Sequence, residues 1–216
     1  MGASCCCSSG ATQKSDVDAQ FSFFDSLPTN VEEATVSHVY DGDTLIIREH
    51  NNSRVRLLGV DAPALKPRER CAVESAKFVK RLCPKGATVW LQFDEVRKDQ
   101  YERLLAYIFV RNAGGAGYIC INVAVVEQGL AELAAPTDTH LSMREVLLKA
   151  STYARSRKLN IWKKIDLNKK IYRSPEETAF HTATCEDLKN CMNLEEMSVS
   201  AALDKDLAPC KNCHPM

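Results

Sequence analysis

The sequence predicts an α+β chain, a five-stranded OB-type β-barrel with packed helices. Three observations carry the prediction. Short β-branched runs follow one another between turn signals, two more apolar runs of strand length stand downstream, and helical periodicity interrupts and closes the series.

The elements follow in order. "ATVSHVY" (34–40), "TLIIREH" (44–50) and "RVRLLGV" (54–60) read as strands of a meander, separated by Asp-Gly and Asn-Asn turns. "CAVESAKFVKRLC" (71–83) spaces its apolar residues as a helix does, and Pro84 and Gly86 close it. "ATVWLQF" (87–93) and "LLAYIFV" (104–110) supply the last two strands; the polar run "DEVRKDQYER" between them extends one of them or loops across. After a glycine-rich turn at 114–117, "INVAVVEQGLA" (121–131) and "HLSMREVLLKASTYARSRKL" (140–159) are helical, and Trp162 follows.

Residues 1–33, rich in Ser, Asp, Gln and small side chains and broken only by "FSFF", are expected to form a mostly disordered leader. Residues 34–163 form the principal domain, 164–177 a polar linker and 178–216 a separate tail. At 216 residues with 45% hydrophobic content, the chain supports one well-cored domain plus extensions. Its formal net charge is zero, yet residues 35–164 carry 21 Lys and Arg against 14 Asp and Glu, so a basic middle lies between acidic flanks. That asymmetry suits a polyanion such as nucleic acid but is also common on ordinary soluble surfaces. The ten cysteines are a triplet at Cys5, Cys6 and Cys7, three scattered residues and four in the tail, which is no disulfide framework. No apolar run reaches membrane-span length and the start lacks a secretory apolar core, so an intracellular, non-secreted protein is expected.

"YDGDTLII" (40–47) taken alone is a hairpin turn. Its company is more specific: "VRLLGVDAP" (55–63) puts Arg56 on a strand and Asp61 at its end, and "DQYERLLAYIFV" (99–110) opens a strand with Arg103. With "EQGLA" and "KLNIW" following in order, residues 34–163 resemble the staphylococcal nuclease-like (thermonuclease) family. The resemblance implies calcium-dependent hydrolysis of phosphodiester bonds in DNA and RNA. Asp43 and Asp61 match the carboxylates that hold Ca2+, the Ala62 carbonyl matches a further ligand, and Asp41 matches an acidic neighbour; hard oxygens suit a hard cation. Arg56 and Arg103 match the guanidinium pair that grips the phosphate, where a planar fork complements its oxygens. The bland alternative for each arginine is a surface ion pair.

The chain departs from the family at Ala64, which stands where active members carry the glutamate described as general base. Glu69 in the following loop is the nearest acid that can replace it; otherwise it is a solvated member of "KPRER". Glu74 matches a glutamate at the family's helix start. Two readings follow: a nuclease that is slow or uses a relocated base, and an impaired module that binds nucleic acid or a protein partner at a membrane.

Both ends carry further signals. "MGASCCC" offers Gly2 for myristoylation, with Cys6 where serine or threonine is usual, and Cys5, Cys6 and Cys7 for palmitoylation; together they predict attachment to the cytosolic face of a membrane. The alternative is an inert cysteine cluster. In the tail, His181 and Cys185 followed by Cys210 and Cys213 supply the four ligands of a closed structural zinc site, in a segment that resembles a small His/Cys module. A redox pair, a disulfide, or substitution by Cys191 or His214 are the alternatives.

Overall fold

The computed structural model describes residues 20–134, 140–205 and 207–216. Strands β1 (Phe23–Phe24), β2 (Val31–Val39), β3 (Thr44–Ile47), β4 (Arg54–Leu57), β5 (Val60–Asp61), β6 (Thr88–Gln92), β7 (Leu104–Arg111) and β8 (Tyr118–Cys120) precede helix α2 (Ile121–Glu127), and α1 (Ala72–Leu82) lies between β5 and β6. β9 (Glu132–Leu133) and α3 (Arg144–Ser156) complete this part. Five strands close on themselves in the order β7-β4-β3-β2-β6-β7, with β4 and β7 parallel and the other pairs antiparallel. This is the barrel the sequence predicts. Closure leaves no edge within the barrel. The inward residues Val36, Leu45, Ile47, Val55, Leu57, Val89 and Leu91 alternate with outward ones and are buried.

α2 is buried along its whole length, which suits its apolar sequence, and its two polar residues have definite partners. Asn122 accepts from Ile108 N at 2.9 Å and donates to the Leu58 and Ala106 carbonyls at 3.0 Å, so it joins β7 to the chain after β4. The Glu127 carboxylate accepts from the backbone N–H groups of Gln20, Phe21 and Ser22 and from Ser22 Oγ, at 2.7 to 3.2 Å.

Glu127 corrects the expected leader boundary. Residues 20–24 are tied to a buried carboxylate, β1 pairs with β8, and Phe21 and Phe24 pack edge-on against Tyr153 and Phe109. Burial of these aromatics and satisfaction of Glu127 order the segment, and β2 already begins at Val31.

The expected linker also differs. β10 (Lys170–Arg173) lies inside it and pairs antiparallel with β12 (Glu195–Ser198), while β11 (Ala179–Phe180) pairs in parallel with β13 (Ala208–Pro209). Ile171 is fully buried with Phe180, Val199, Ala202 and Leu207, so its apolar side chain makes it part of the C-terminal module's core. Buried Arg155 of α3 donates to Asp204 Oδ1 at 2.7 Å and Ser200 O at 3.2 Å, docking α4 (Val199–Asp204) onto the barrel's helix.

Candidate active site and a His/Cys cluster

The turn from β2 to β3 begins the site. Tyr40 N and Asp41 N both donate to Thr44 O, at 2.9 and 3.2 Å, and Asp43 N donates to Asp41 Oδ1 at 3.2 Å. Glycine is required at position 42 because a Cβ there would lie 2.0 Å from Ser75 Oγ and 2.8 Å from the Ala62 side chain. This close approach of α1 and the β5 end packs the β2–β3 turn, and Asp43 with it, against Ala62.

Asp43 is 2% exposed. Its carboxylate accepts from Ala62 N and Thr44 Oγ1, both at 2.8 Å, and lies 2.5 Å from Arg56 Nη1. Arg56 Nη2 lies 2.6 Å from Asp61 Oδ1 and donates to Val60 O at 3.2 Å. One guanidinium therefore spans both carboxylates. Burial pushes the Asp43 carboxyl above its ordinary value, opposed by Arg56 and the Ala62 N–H and reinforced by Asp41.

Arg103 stands apart from this trio. Its Nε and Nη2 lie 2.7 and 2.6 Å from Asp99 Oδ2, and its backbone N–H donates to Asp99 Oδ1 at 3.0 Å. Asp99 is the partner sequence reasoning passed over, although the i,i+4 spacing within "DQYER" was visible. The arginine hydrogen bonds and backbone N–H groups hold Asp99 below the usual carboxylate range against its desolvation.

The loop after Pro63 closes on itself. Ala64 N donates to Glu69 Oε2 at 2.8 Å and Glu69 N donates to Ala64 O at 2.9 Å, so the Glu69 carboxylate is held at the backbone of position 64. Nearby stands Glu132, which the sequence did not flag. The two-residue β5–β9 ladder sets Glu132 opposite Asp61. Desolvation, with the charges of Asp61 and Glu69, pushes its carboxyl up to about 7.

That crowding yields a test in calcium-free protein. Glu132 ionises near 4.5 when unfolded and about 7 when folded, so stability is lost as pH rises through that window. Glu132→Gln should therefore add about 2 to 3 kcal/mol at pH 8 and almost nothing at pH 4, read by urea unfolding. An equal gain at both pH values would assign the effect to packing.

The site's donor set fits a divalent cation. Asp41, Asp43 and Asp61 offer only hard oxygens; burial is what chiefly pushes the Asp43 and Glu132 carboxyls up, and the neighbouring acids Asp41, Asp61 and Glu69 add to it a negative charge that such a cation would offset.

The second cluster lies in the C-terminal module. One ligand atom from each of His181, Cys185, Cys210 and Cys213 can be chosen so that all lie within 4.8 Å of one another. Tetrahedral zinc with thiolate ligands places them about 3.8 Å apart, so little contraction is needed. His181 Nδ1 lies 3.3 Å from Cys185 Sγ, while buried Nε2 lies 3.3 Å from Glu177 Oε2 without the geometry of a hydrogen bond. Thr182 N donates to Cys213 Sγ at 3.4 Å and Asn212 N to Cys210 Sγ at 3.3 Å. Burial pushes the Cys185 thiol up to about 12, whereas Cys213 sits below the usual thiol value, its desolvation outweighed by Thr182 N–H and the neighbouring thiols. Cys191 lies outside the cluster, bonded to Asp187 O at 3.5 Å, and His214 does not join it. Gly2, Cys5, Cys6 and Cys7 lie outside the described residues.

A closed five-stranded barrel with two carboxylates and an arginine converging at the β2–β3 turn and the β5 end defines the nuclease-fold class. The family model described as "Staphylococcal nuclease homologue" matches residues 54–164, and the chain belongs to that family. It is 33% identical over 140 residues to the thermonuclease of Staphylococcus intermedius, covering 62% of this chain and 77% of that protein. The thermonuclease of Staphylococcus hyicus is 31% identical over 141 residues, covering 62% and 79%. The SPbeta prophage-derived endonuclease YokF of Bacillus subtilis (strain 168) is 30% identical over 138 residues, covering 61% of this chain and 44% of that protein, so this chain spans less than half of YokF's length.

Proposed function

We propose that this chain is a calcium-dependent nuclease that hydrolyses phosphodiester bonds of DNA or RNA. The observation that carries the reading is the convergence of Asp43 and Asp61 on Arg56 at a single cleft. A scaffold has no need to bury a carboxylate at that point. The names of its relatives, thermonucleases and an endonuclease, support the same activity.

Asp43 and Asp61, with Asp41 beside them and the Ala62 carbonyl, would hold the ion. Bound calcium supplies Lewis-acid polarisation of the phosphoryl oxygen and a cation for the attacking water. Arg56, which pairs with both carboxylates, would turn its planar fork to the phosphate once the cation engages them, and Arg103, oriented by Asp99, would supply the second guanidinium. Ala64 has no proton acceptor. Glu69, bound by its Oε2 to the Ala64 N–H, brings a carboxylate to that position and takes the role of general base. The absence of a carboxylate at 64 itself is what favours the second reading, a binding module without turnover. Supercoiled plasmid incubated with calcium should be nicked, and omission of calcium should prevent it. Intact plasmid at millimolar calcium, with DNA still bound, would leave the binding module.

The two ends extend the proposal. His181, Cys185, Cys210 and Cys213 hold a structural zinc ion, supported by the compactness of the cluster. Gly2 takes a myristoyl chain and Cys5, Cys6 and Cys7 take palmitate, because one acyl chain alone anchors only marginally. The enzyme then sits on the cytosolic face of a membrane. Gly2→Ala should move it to the soluble fraction, and unchanged partitioning on fractionation would refute acylation.

A further inference from the structure

We infer that the C-terminal module forms one wall of a substrate groove and grips the nucleic-acid strand beyond the scissile phosphate. The inference rests on the nuclease reading above and adds a subsite to it.

A groove of about 400 Å³ runs between the barrel and the module. On the barrel side it is lined by Pro63, Arg70 and Glu132. Pro63 follows Asp61 by two residues and Glu132 pairs with Asp61 across the β5–β9 ladder, so this end opens beside the candidate cleft. The facing wall consists of Pro209, His214 and Met216, all from the module. That wall is fixed in place: Pro209 lies in β13, and Lys169 Nζ donates to Pro215 O at 2.8 Å. Its remaining residues bracket Cys210 and Cys213, so whatever orders the cluster also shapes the groove.

Charged side chains of both signs line it. Acidic Glu132 and Glu69 lie toward the cleft, where a cation is to be held. In the same lining, Arg70 Nη2 donates to the Ile161 carbonyl, which keeps its guanidinium at the groove, and Lys164 is exposed with no ion pair among the described residues. A polyanion with one phosphate at the metal finds its next phosphates opposite Arg70 and Lys164. Between the charges, Ile161, Ile165 and Met216 offer apolar surface to a sugar or base. The volume suits roughly one nucleotide. An acidic peptide would be repelled at the Glu69 and Glu132 end, with no metal-seeking phosphate to compensate.

The test uses the full-length protein and a fluorescent single-stranded phosphorothioate 12-mer, with binding read by anisotropy. Lys164→Glu and His214→Asp place new negative charge on opposite sides of the groove; both positions are exposed, and melting temperatures check the fold. Each should weaken the 12-mer's Kd about tenfold, and Lys164→Glu should lower the salt-dependence slope by about 1. Cleavage of a dinucleotide, too short to reach the groove, should stay within about twofold. Lys85→Glu, outside the groove, is the control for general electrostatics. Unchanged 12-mer affinity in both variants, equal weakening by Lys85→Glu, or no binding by the natural protein would overturn the subsite. If the 12-mer binds with this dependence while plasmid stays intact with calcium, the groove stands and the nuclease reading falls.

Discussion

Ala64→Glu should raise the calcium-dependent cleavage rate by between about tenfold and 10⁴, the span expected when a base leaving the chain at position 64 itself takes over from Glu69, which reaches that position only from the loop. Position 64 follows Asp61 by three residues, and its backbone is held at both N–H and carbonyl by the Glu69 loop, so the introduced side chain leaves a fixed point. It enters a crowded acidic neighbourhood. Asp61, Glu69 and Glu132 will push its pKa up, as they already do to one another's neighbour Glu132, and the gain should therefore grow toward higher pH. Asp43→Ala in the same background should cancel the gain, because the buried carboxylate that accepts the Ala62 N–H and faces Arg56 is then lost. Glu69→Ala in the natural sequence should abolish most activity. Single-turnover cleavage of a labelled oligonucleotide measures all three. An unchanged or lower rate in Ala64→Glu, together with loss in Glu69→Ala, would mean that Glu69 already serves fully as base and that Ala64 is no impairment. Full activity in Glu69→Ala would remove the base role from Glu69.

The barrel and the core of this site were legible because their signals are local. Asp-Gly-Asp-Thr and "VRLLGVDAP" each encode a turn and a strand end within a few residues, and the alternation of apolar side chains states which face is inward. Glu132 was illegible for the opposite reason. It reaches Asp61 only through a two-residue ladder joining segments far apart in sequence, and nothing in "GLAEL" marks a carboxylate bound for a cleft. The ordered residues 20–24 escaped notice because "FSFF" has no periodicity, while the group that orders them, Glu127, lies in a helix whose apolar pattern draws attention away from its one acid. Ile171 was lost within a charged stretch, since a strand that buries a single apolar residue carries almost no pattern.

Removing zinc should unfold the C-terminal module while the barrel stays folded. The module's own core is five buried residues, Ile171, Phe180, Val199, Ala202 and Leu207, with Ala202 contributing little apolar area. A core of that size is too small to hold the module folded without a further cross-link. Zinc held by the His/Cys cluster, as proposed above, would supply it, with an apparent contribution of about 10 kcal/mol or more in small zinc modules. The barrel has its own closed ladder and large core, so it does not need the ion. Docking through Arg155 to Asp204 and Ser200 cannot replace it, because those contacts hold α4 and not the segment from Cys210 to Met216. Elemental analysis of reduced protein should find one zinc per chain. Chelation should then abolish amide protection at Cys210 and His214, whose N–H groups bond to Phe180 O and Cys210 O, while protection in β2 and β6 persists. Cys213→Ser should do the same without a chelator, since serine is a poor zinc ligand. Protection at Cys210 that survives both treatments, or a reduced preparation without stoichiometric metal, would show that the cluster folds as four ordinary side chains.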